Sequence, residues 1–346
     1  MSRRKKNTRA DSRLRLSSGA FEYVFLAVLT MGMVALGAVM VFSASLGSAF
    51  FDNQDSYYYI KRELFFAVIG VGLMFGLARN DFTRLRKIAP VLMAVSLVLL
   101  VLVFIPGLGV AAKGARRWIG FGLATFQPAE LAKLAVIIFV AAVMSARPRL
   151  LTSLKAMAVP VLLAPAIVCV LVLVEPDMGT AITITVTVAG MLLIAGVSLR
   201  LLAPPALGAV FLALVSVFIS PHQMARITAF LDPWQDAQGA GHQIIQSWVA
   251  IGSGGLSGVG LGNSVQKFSY LPEPHTDMIF AIIGEELGIL GALLVVGGFS
   301  AFAFMGFRIA VKCRNLFGKY SAAGITSMLV GQAAINLCAV TGLLPL

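Results

Sequence analysis

Charge is scarce in this sequence: Asp, Glu, Lys and Arg make up 12% of its 346 residues, about half of the ~25% that a soluble domain carries. That shortage excludes an ordinary water-solvated globular surface. Cysteine is scarcer still, at three. Cys169 and Cys338 sit inside apolar runs and Cys313 lies in a basic loop, so neither a disulfide framework nor a zinc site is spaced out. No repeat of fixed period occurs, and no low-complexity tract beyond a basic N-terminal stretch. The glycine-rich run GSGGLSGVGLGNS lacks a GK[ST] ending and follows no strand, which excludes a Walker phosphate loop. It reads as a flexible, closely packed loop.

What the sequence has instead is apolar residues, 59% of the chain. Runs long enough to cross ~30 Å of hydrocarbon at ~1.5 Å per residue recur almost throughout. They predict an all-α polytopic membrane bundle of about nine helices at 21–46, 64–78, 88–106, 129–146, 156–174, 179–197, 202–219, 278–307 and 321–344, two of them short or tilted. Residues 1–20 resemble the cationic region of a signal peptide, but the apolar segment that follows is too long and has no clear cleavage site. They read as a retained cytoplasmic tail.

The net charge is +12, yet most basic residues fall in that tail and in short loops. Membrane topology alone demands such a bias, so nucleic acid is not a partner. Placing the tail inside puts most of the 27 basic residues on the cytoplasmic side and most of the 15 acidic residues in outer loops or within helices. Two outer segments, 107–128 and 220–277, are too long to be plain turns, and sites tend to live in such loops. Within the second, IIQSWVAIG is apolar but too short to span, and is expected to lie along or dip into the outer interface.

Charges at or inside membrane helices are costly and point to function. Glu130 and Lys133 share a helix face and can neutralise one another, as a structural pair or a substrate contact. Glu175 and Asp177, in EPDMGT, could bind a cation or pin outer-loop arginines. Lys113, Arg116 and Arg117, with Trp118 adjacent, cluster on the side where basic residues are rare. Guanidinium forks match phosphate oxygens, so a lipid phosphate or diphosphate would suit them, as would the outer carboxylates. The densest polar group is YLPEPHTDMIFAIIGEELG, with Glu273, His275, Thr276 and Asp277 just before a helix that carries Glu285 and Glu286. Thr276 or Asp277 could serve as that helix's N-cap. A helix N-terminus lowers the pKa of a carboxylate and desolvation raises it, so the strength of Asp277 as a base stays open.

GARRWI, QPAELAKL, EPDMGTA, GAGHQIIQS, GLGNSVQKFSYLPEPHTDMIFAIIGEELG and NLCAVTGLLPL, in that order from about residue 20 to the end, resemble the SEDS family (shape, elongation, division and sporulation). GLGNSVQKFSYLPE is closer to its division branch, FtsW and sporulation relatives, than to the elongation branch, RodA. The resemblance implies one transmembrane domain over 21–346, in a bacterial cytoplasmic membrane with a large outer loop between helices 7 and 8. The implied enzyme is a peptidoglycan glycosyltransferase that polymerises lipid II on the outer face. Its implied partners are a class B penicillin-binding transpeptidase and other divisome membrane proteins, at the division septum.

It also implies that Asp277 is the catalytic carboxylate. Substrate contacts are expected from Lys113, Arg116, Arg117, Trp118, Gln127, Glu130, Lys133, Gln243, Gln246, Asn263, Lys267, Glu273, His275 and Thr276. Supporting roles are expected for Glu175, Asp177, Glu285 and Glu286. The metal is left open between none and a divalent cation, Mg2+ or Mn2+, with no organic cofactor. Two departures stand out. His242 occupies a position where the family commonly has Tyr, and the family usually continues beyond TGLLPL into a tenth helix. A lipid II flippase, a RodA-like elongation polymerase and a non-catalytic scaffold are the competing readings.

Overall fold

Hydrocarbon offers no water to backbone N–H and C=O groups, so each apolar run must satisfy them within itself as a helix. The computed structural model describes residues 21–45, 57–112, 115–121, 124–267, 271–272 and 274–345. Along them run α1 (Phe21–Ser45), α2 (Tyr58–Arg79), α3 (Thr83–Leu102), α4 (Pro128–Ala146), α5 (Leu154–Val174) and α6 (Met178–Ile194). Then follow α7 (Leu199–Ile219), α8 (Pro221–Leu231), α9 (His242–Gly254), α10 (Ile279–Lys312) and α11 (Leu316–Val340).

Seven of these are long and apolar enough to cross a membrane. The other two expected spans are α6, whose 17 residues cover only ~25 Å, and α2. Helix α2 starts six residues before the apolar run that marks it, at Tyr58 rather than residue 64. Lys61, Arg62 and Glu63 continue its helix, since charges at a helix end lie in the polar boundary and do not break it. Helix α5 opens with an α turn and a π segment, Ala158–Leu162, around Pro160, whose missing N–H removes one ladder bond.

The expectation for 107–128 was a long structured loop; the segment folds as a three-stranded antiparallel sheet, β1 (Gly109–Ala112), β2 (Ala115–Phe121) and β3 (Ala124–Phe126). Val110 pairs with Trp118 and Ile119 with Phe126. The extended β2 carries the buried Ile119, while its arginines stay solvent-accessible.

Two buried clusters organise the bundle. One joins α3 to α7 around α4, with Ile137, Val140, Met144, Ile184 and Met191, and takes Phe317 and Tyr320 from α11. The second joins α1, α9 and α10 through Met40, Ala250, Met278, Ile282 and Val295. Helix α11 packs on α4, α6 and α10, and so bridges the clusters.

The alternation of helices places the start of α4, the α5–α6 turn, the start of α10 and the end of α11 at one end, with the sheet. The opposite end holds Glu22 of α1, whose carboxylate accepts from Arg308 (2.9 Å) and Lys312 (2.6 Å) of α10.

Candidate active site at the sheet end of the bundle

Helix α10 is interrupted. Gly288 takes φ 65° and ψ −161°, so the first turns of α10 form a separate half-helix. Such a break strips carbonyls of their helical partners, and buried orphans are costly. The glycine-rich run fills the gap. Val259 N–H donates to Glu285 O, Gly260 N–H to Glu286 O, and Ile289 N–H to Gly255 O, each at 3.0 Å. Glycine is required where these backbones meet: a Cβ on Gly258 (φ 79°) would stand 2.1 Å from Glu286 O, and one on Gly288 2.4 Å from Gly258 N. The run expected to be a flexible, closely packed loop is closely packed, as a hydrogen-bonded strap across a broken helix.

The glutamates of the half-helix anchor that strap. Glu285 accepts from Ser264 Oγ and from Val265 N–H (3.0 Å). Glu286 accepts from Ser43 Oγ of α1 (2.7 Å) and from Lys267 Nζ (3.1 Å). Lys267 also donates to Gly262 O at 2.6 Å and is 1% exposed. The ammonium for which a substrate contact was expected is thus buried where the strap, the half-helix and α1 meet.

Just before the half-helix, residues 274–278 form turns, and Asp277 is exposed. Neither Thr276 nor Asp277 caps the helix; Met278 holds the N-cap position and no side chain accepts there. The Asp277 carboxylate is therefore not consumed by capping, while its main-chain carbonyl is fixed by Asn336 Nδ2 of α11 at 3.1 Å. His275 packs against Tyr59 of α2, with ring centroids 4.1 Å apart and the planes tilted by 37°.

Across the end of the bundle, Arg117 of β2 reaches the α5–α6 turn. Its Nε donates to Glu175 O at 3.0 Å and its Nη2 to Pro176 O. The turn pins this arginine through main-chain carbonyls, rather than through the paired carboxylates on which the pinning was expected. Asp177 instead caps α6, accepting from Thr180 N–H (3.1 Å) and Oγ1 (2.9 Å), and takes Gln127 Nε2 at 3.3 Å. Glu130 and Lys133 pair at 2.9 Å, and Lys133, 3% exposed, also donates to Gln332 of α11 at 2.8 Å.

Arg226 of α8 went unnoticed in the sequence. It is solvent-accessible, yet desolvation by the surrounding chain is the leading cause holding its guanidinium below the usual range. Arg117 lowers it further, while Asp277 and Asp177 raise it, so all four charged groups share one neighbourhood. The signal was available: like Arg117, Arg226 is a basic residue in a segment assigned to the side poor in them.

Of the remaining expected contacts, Arg116 and Asn263 are exposed, Trp118, Gln243 and Gln246 half-buried. Asn263 Nδ2 donates to Val259 O at 3.2 Å, within the strap. Lys113 and Glu273 lie outside the described residues. Among the described residues no three His, Cys, Asp or Glu side chains group to hold a metal ion, so no step is assigned to one.

The model of the cell cycle protein family FTSW_RODA_SPOVE matches residues 23–346. Stage V sporulation protein E of Bacillus subtilis is 41% identical over 329 residues, 93% of this chain and 88% of that protein. The probable peptidoglycan glycosyltransferase FtsW of Geobacter metallireducens is 38% identical over 322 residues, 92% and 85% of the two chains. A solved chain from a peptidoglycan synthase complex that coordinates polymerization and crosslinking superposes with TM-score 0.73 at 30% identity, covering 93% of this chain and 88% of that one. The rod shape determining protein RodA of Thermus thermophilus gives 0.64 at 28% identity, covering 91% and 83%.

Fold and relatives together define a multi-pass membrane enzyme of the glycosyltransferase class. The chain belongs to the FtsW, RodA and SpoVE family of cell cycle proteins, the SEDS family.

Proposed function

We propose that this chain polymerises lipid II into glycan strands on the outer face of the bacterial cytoplasmic membrane, with the sheet end outward. The observation that carries this reading is the exposed Asp277, its carboxylate not spent on capping, in the electrostatic neighbourhood of Arg226 and Arg117. In this reading the Asp277 carboxylate accepts the proton of the acceptor sugar's 4-hydroxyl. The oxygen attacks the donor's anomeric carbon with inversion, and undecaprenyl diphosphate leaves with the bond pair. Arg117 and Arg226, with Arg116, offset the charge growing on that leaving group. Fixed cations lower the barrier in this way without requiring a strong base.

The basic bias of the opposite end supports an outward site, because cytoplasmic loops accumulate Lys and Arg. Relatives named for sporulation and for FtsW support the division branch and a septal location. The synthase complex of a structural neighbour supports a transpeptidase partner. A flippase built on a discontinuous helix would use the carbonyls freed by the break. Here the carbonyls of Glu285 and Glu286 are occupied by the strap.

The test is incubation of the purified protein, with its cognate transpeptidase, in liposomes carrying lipid II on the outer leaflet. Glycan strands are expected. Transfer of lipid II between leaflets without strands would favour the flippase.

A further inference from the structure

The α5–α6 turn holds a carboxyl group that the proposed reaction does not use. Glu175 is 1% exposed, and neither of its carboxyl oxygens has a hydrogen-bond partner among the described residues. A carboxylate beside a guanidinium would ordinarily pair with it through charge-assisted bonds. Here Arg117 gives its Nε and Nη2 to the main-chain carbonyls of Glu175 and Pro176 and leaves the side chain unpaired. An ionised carboxylate without water or donors is strongly disfavoured, and such a group keeps its proton. Burial first, and Asp177 second, push the Glu175 carboxyl up to about 8, against the pull of Arg117.

We propose that Glu175 is a proton-set control of the diphosphate site: protonated, it leaves the Arg117 charge to an incoming diphosphate; ionised, it competes with the phosphate for that guanidinium. The proposal deepens the reading of Arg117 and Arg226 as the cations of the leaving group, and rests on it.

Other charged groups nearby are already committed. Asp177, on the same turn, is held by Thr180 and by Gln127 from α4. Glu130 and Lys133 of α4 neutralise each other. Arg226 of α8 faces Arg117, Asp177 and Asp277. The charges acting on Glu175 itself are Asp177 and Arg117. Loss of its proton therefore changes the balance at Arg117 directly.

The test uses the full chain in nanodiscs with undecaprenyl diphosphate as probe, titrated at about pH 7 and about pH 9, for wild type and Glu175→Gln. Glutamine has the shape of the protonated acid and cannot ionise. The probe's own ionisation is common to both proteins, so the difference between them isolates Glu175. Between the two pH values wild type is expected to lose roughly tenfold more affinity than the variant, whose only pH dependence is that of the probe. Infrared difference spectra should show a protonated-carboxyl band in wild type at about pH 7 that disappears on alkalinisation and is missing from the variant. Equal pH dependence in the two proteins, or no band that Glu175→Gln removes, overturns the proposal. If neither protein binds the diphosphate at neutral pH, the proposal falls with the diphosphate-site reading; a surviving infrared band identifies that reading as the one at fault.

Discussion

Lys267 Nζ lies 3.1 Å from Glu286 Oε1, and both side chains are wholly shielded from solvent. With Ser43 donating to the same carboxylate, the pair joins three segments distant in sequence: α1, the strap and the half-helix below Asp277. A buried pair is a poor source of net stability, but removing one partner leaves an uncompensated charge.

Lys267→Met should therefore destabilise the protein by about 3–5 kcal/mol. The double variant Lys267→Met, Glu286→Gln should recover much of that loss. Thermal unfolding in detergent of the two single variants and the double variant measures the coupling.

Glycine substitutions in the strap should fall into two grades. Gly262 takes φ 81° with nothing within 4 Å of an added Cβ, so Gly262→Ala carries only the backbone penalty, about 1–2 kcal/mol. Gly258→Ala adds a clash with the carbonyl of Glu286 and should cost clearly more. It should also expose residues 255–267 to proteolysis; equal thermal stability of the two variants would argue against the strap.

Arg117→Lys should lose the two-pronged hold on the α5–α6 turn, because one ammonium cannot reproduce a planar fork. Each charge-assisted bond given up is worth about 1.5–3 kcal/mol. Polymerisation should fall more than stability does, since in the proposed reaction the same guanidinium faces the leaving group. Initial rates and melting temperatures on one preparation separate the two effects.

Glu175 gives stability a pH dependence of defined sign. Its carboxyl ionises near an ordinary 4.5 when unfolded and at about 8 when folded. Between those values the native state holds a proton that the unfolded state has released, so stability falls as pH rises through that window and levels off above it. Glu175→Gln should lack this component, and subtracting its melting curve from that of wild type shows it.

Much of this fold was legible in the sequence, because hydrocarbon turns an apolar run into a helix whatever its neighbours do. The start of α2 was not, since Lys61, Arg62 and Glu63 look like a loop to a hydropathy reading yet sit at a polar boundary. The sheet at 109–126 was missed because its strands are short, at 4, 7 and 3 residues, and glycines interrupt the segment. Asp277 stood out by its polar neighbours, and Arg117 by appearing on the wrong side of the charge bias. Arg226 satisfied the same criterion without a cluster to draw attention to it. Gly288 looked like any glycine in an apolar helix; its role depends on Gly258, thirty residues away, meeting it in space. The Ser43–Glu286 and Lys133–Gln332 contacts are likewise set by packing and left no local pattern.

The proposed reaction turns on the Asp277 carboxylate accepting the sugar proton. Asp277→Asn keeps size and polarity, and leaves the Asn336 bond to the main-chain carbonyl intact, so the variant should fold and bind lipid II like wild type. The most direct measurement compares glycan strand formation by the two proteins in the same liposomes with the cognate transpeptidase. Strands are expected from wild type and none from the folded variant; strand formation at the wild-type rate by Asp277→Asn would overturn the role of Asp277 as base.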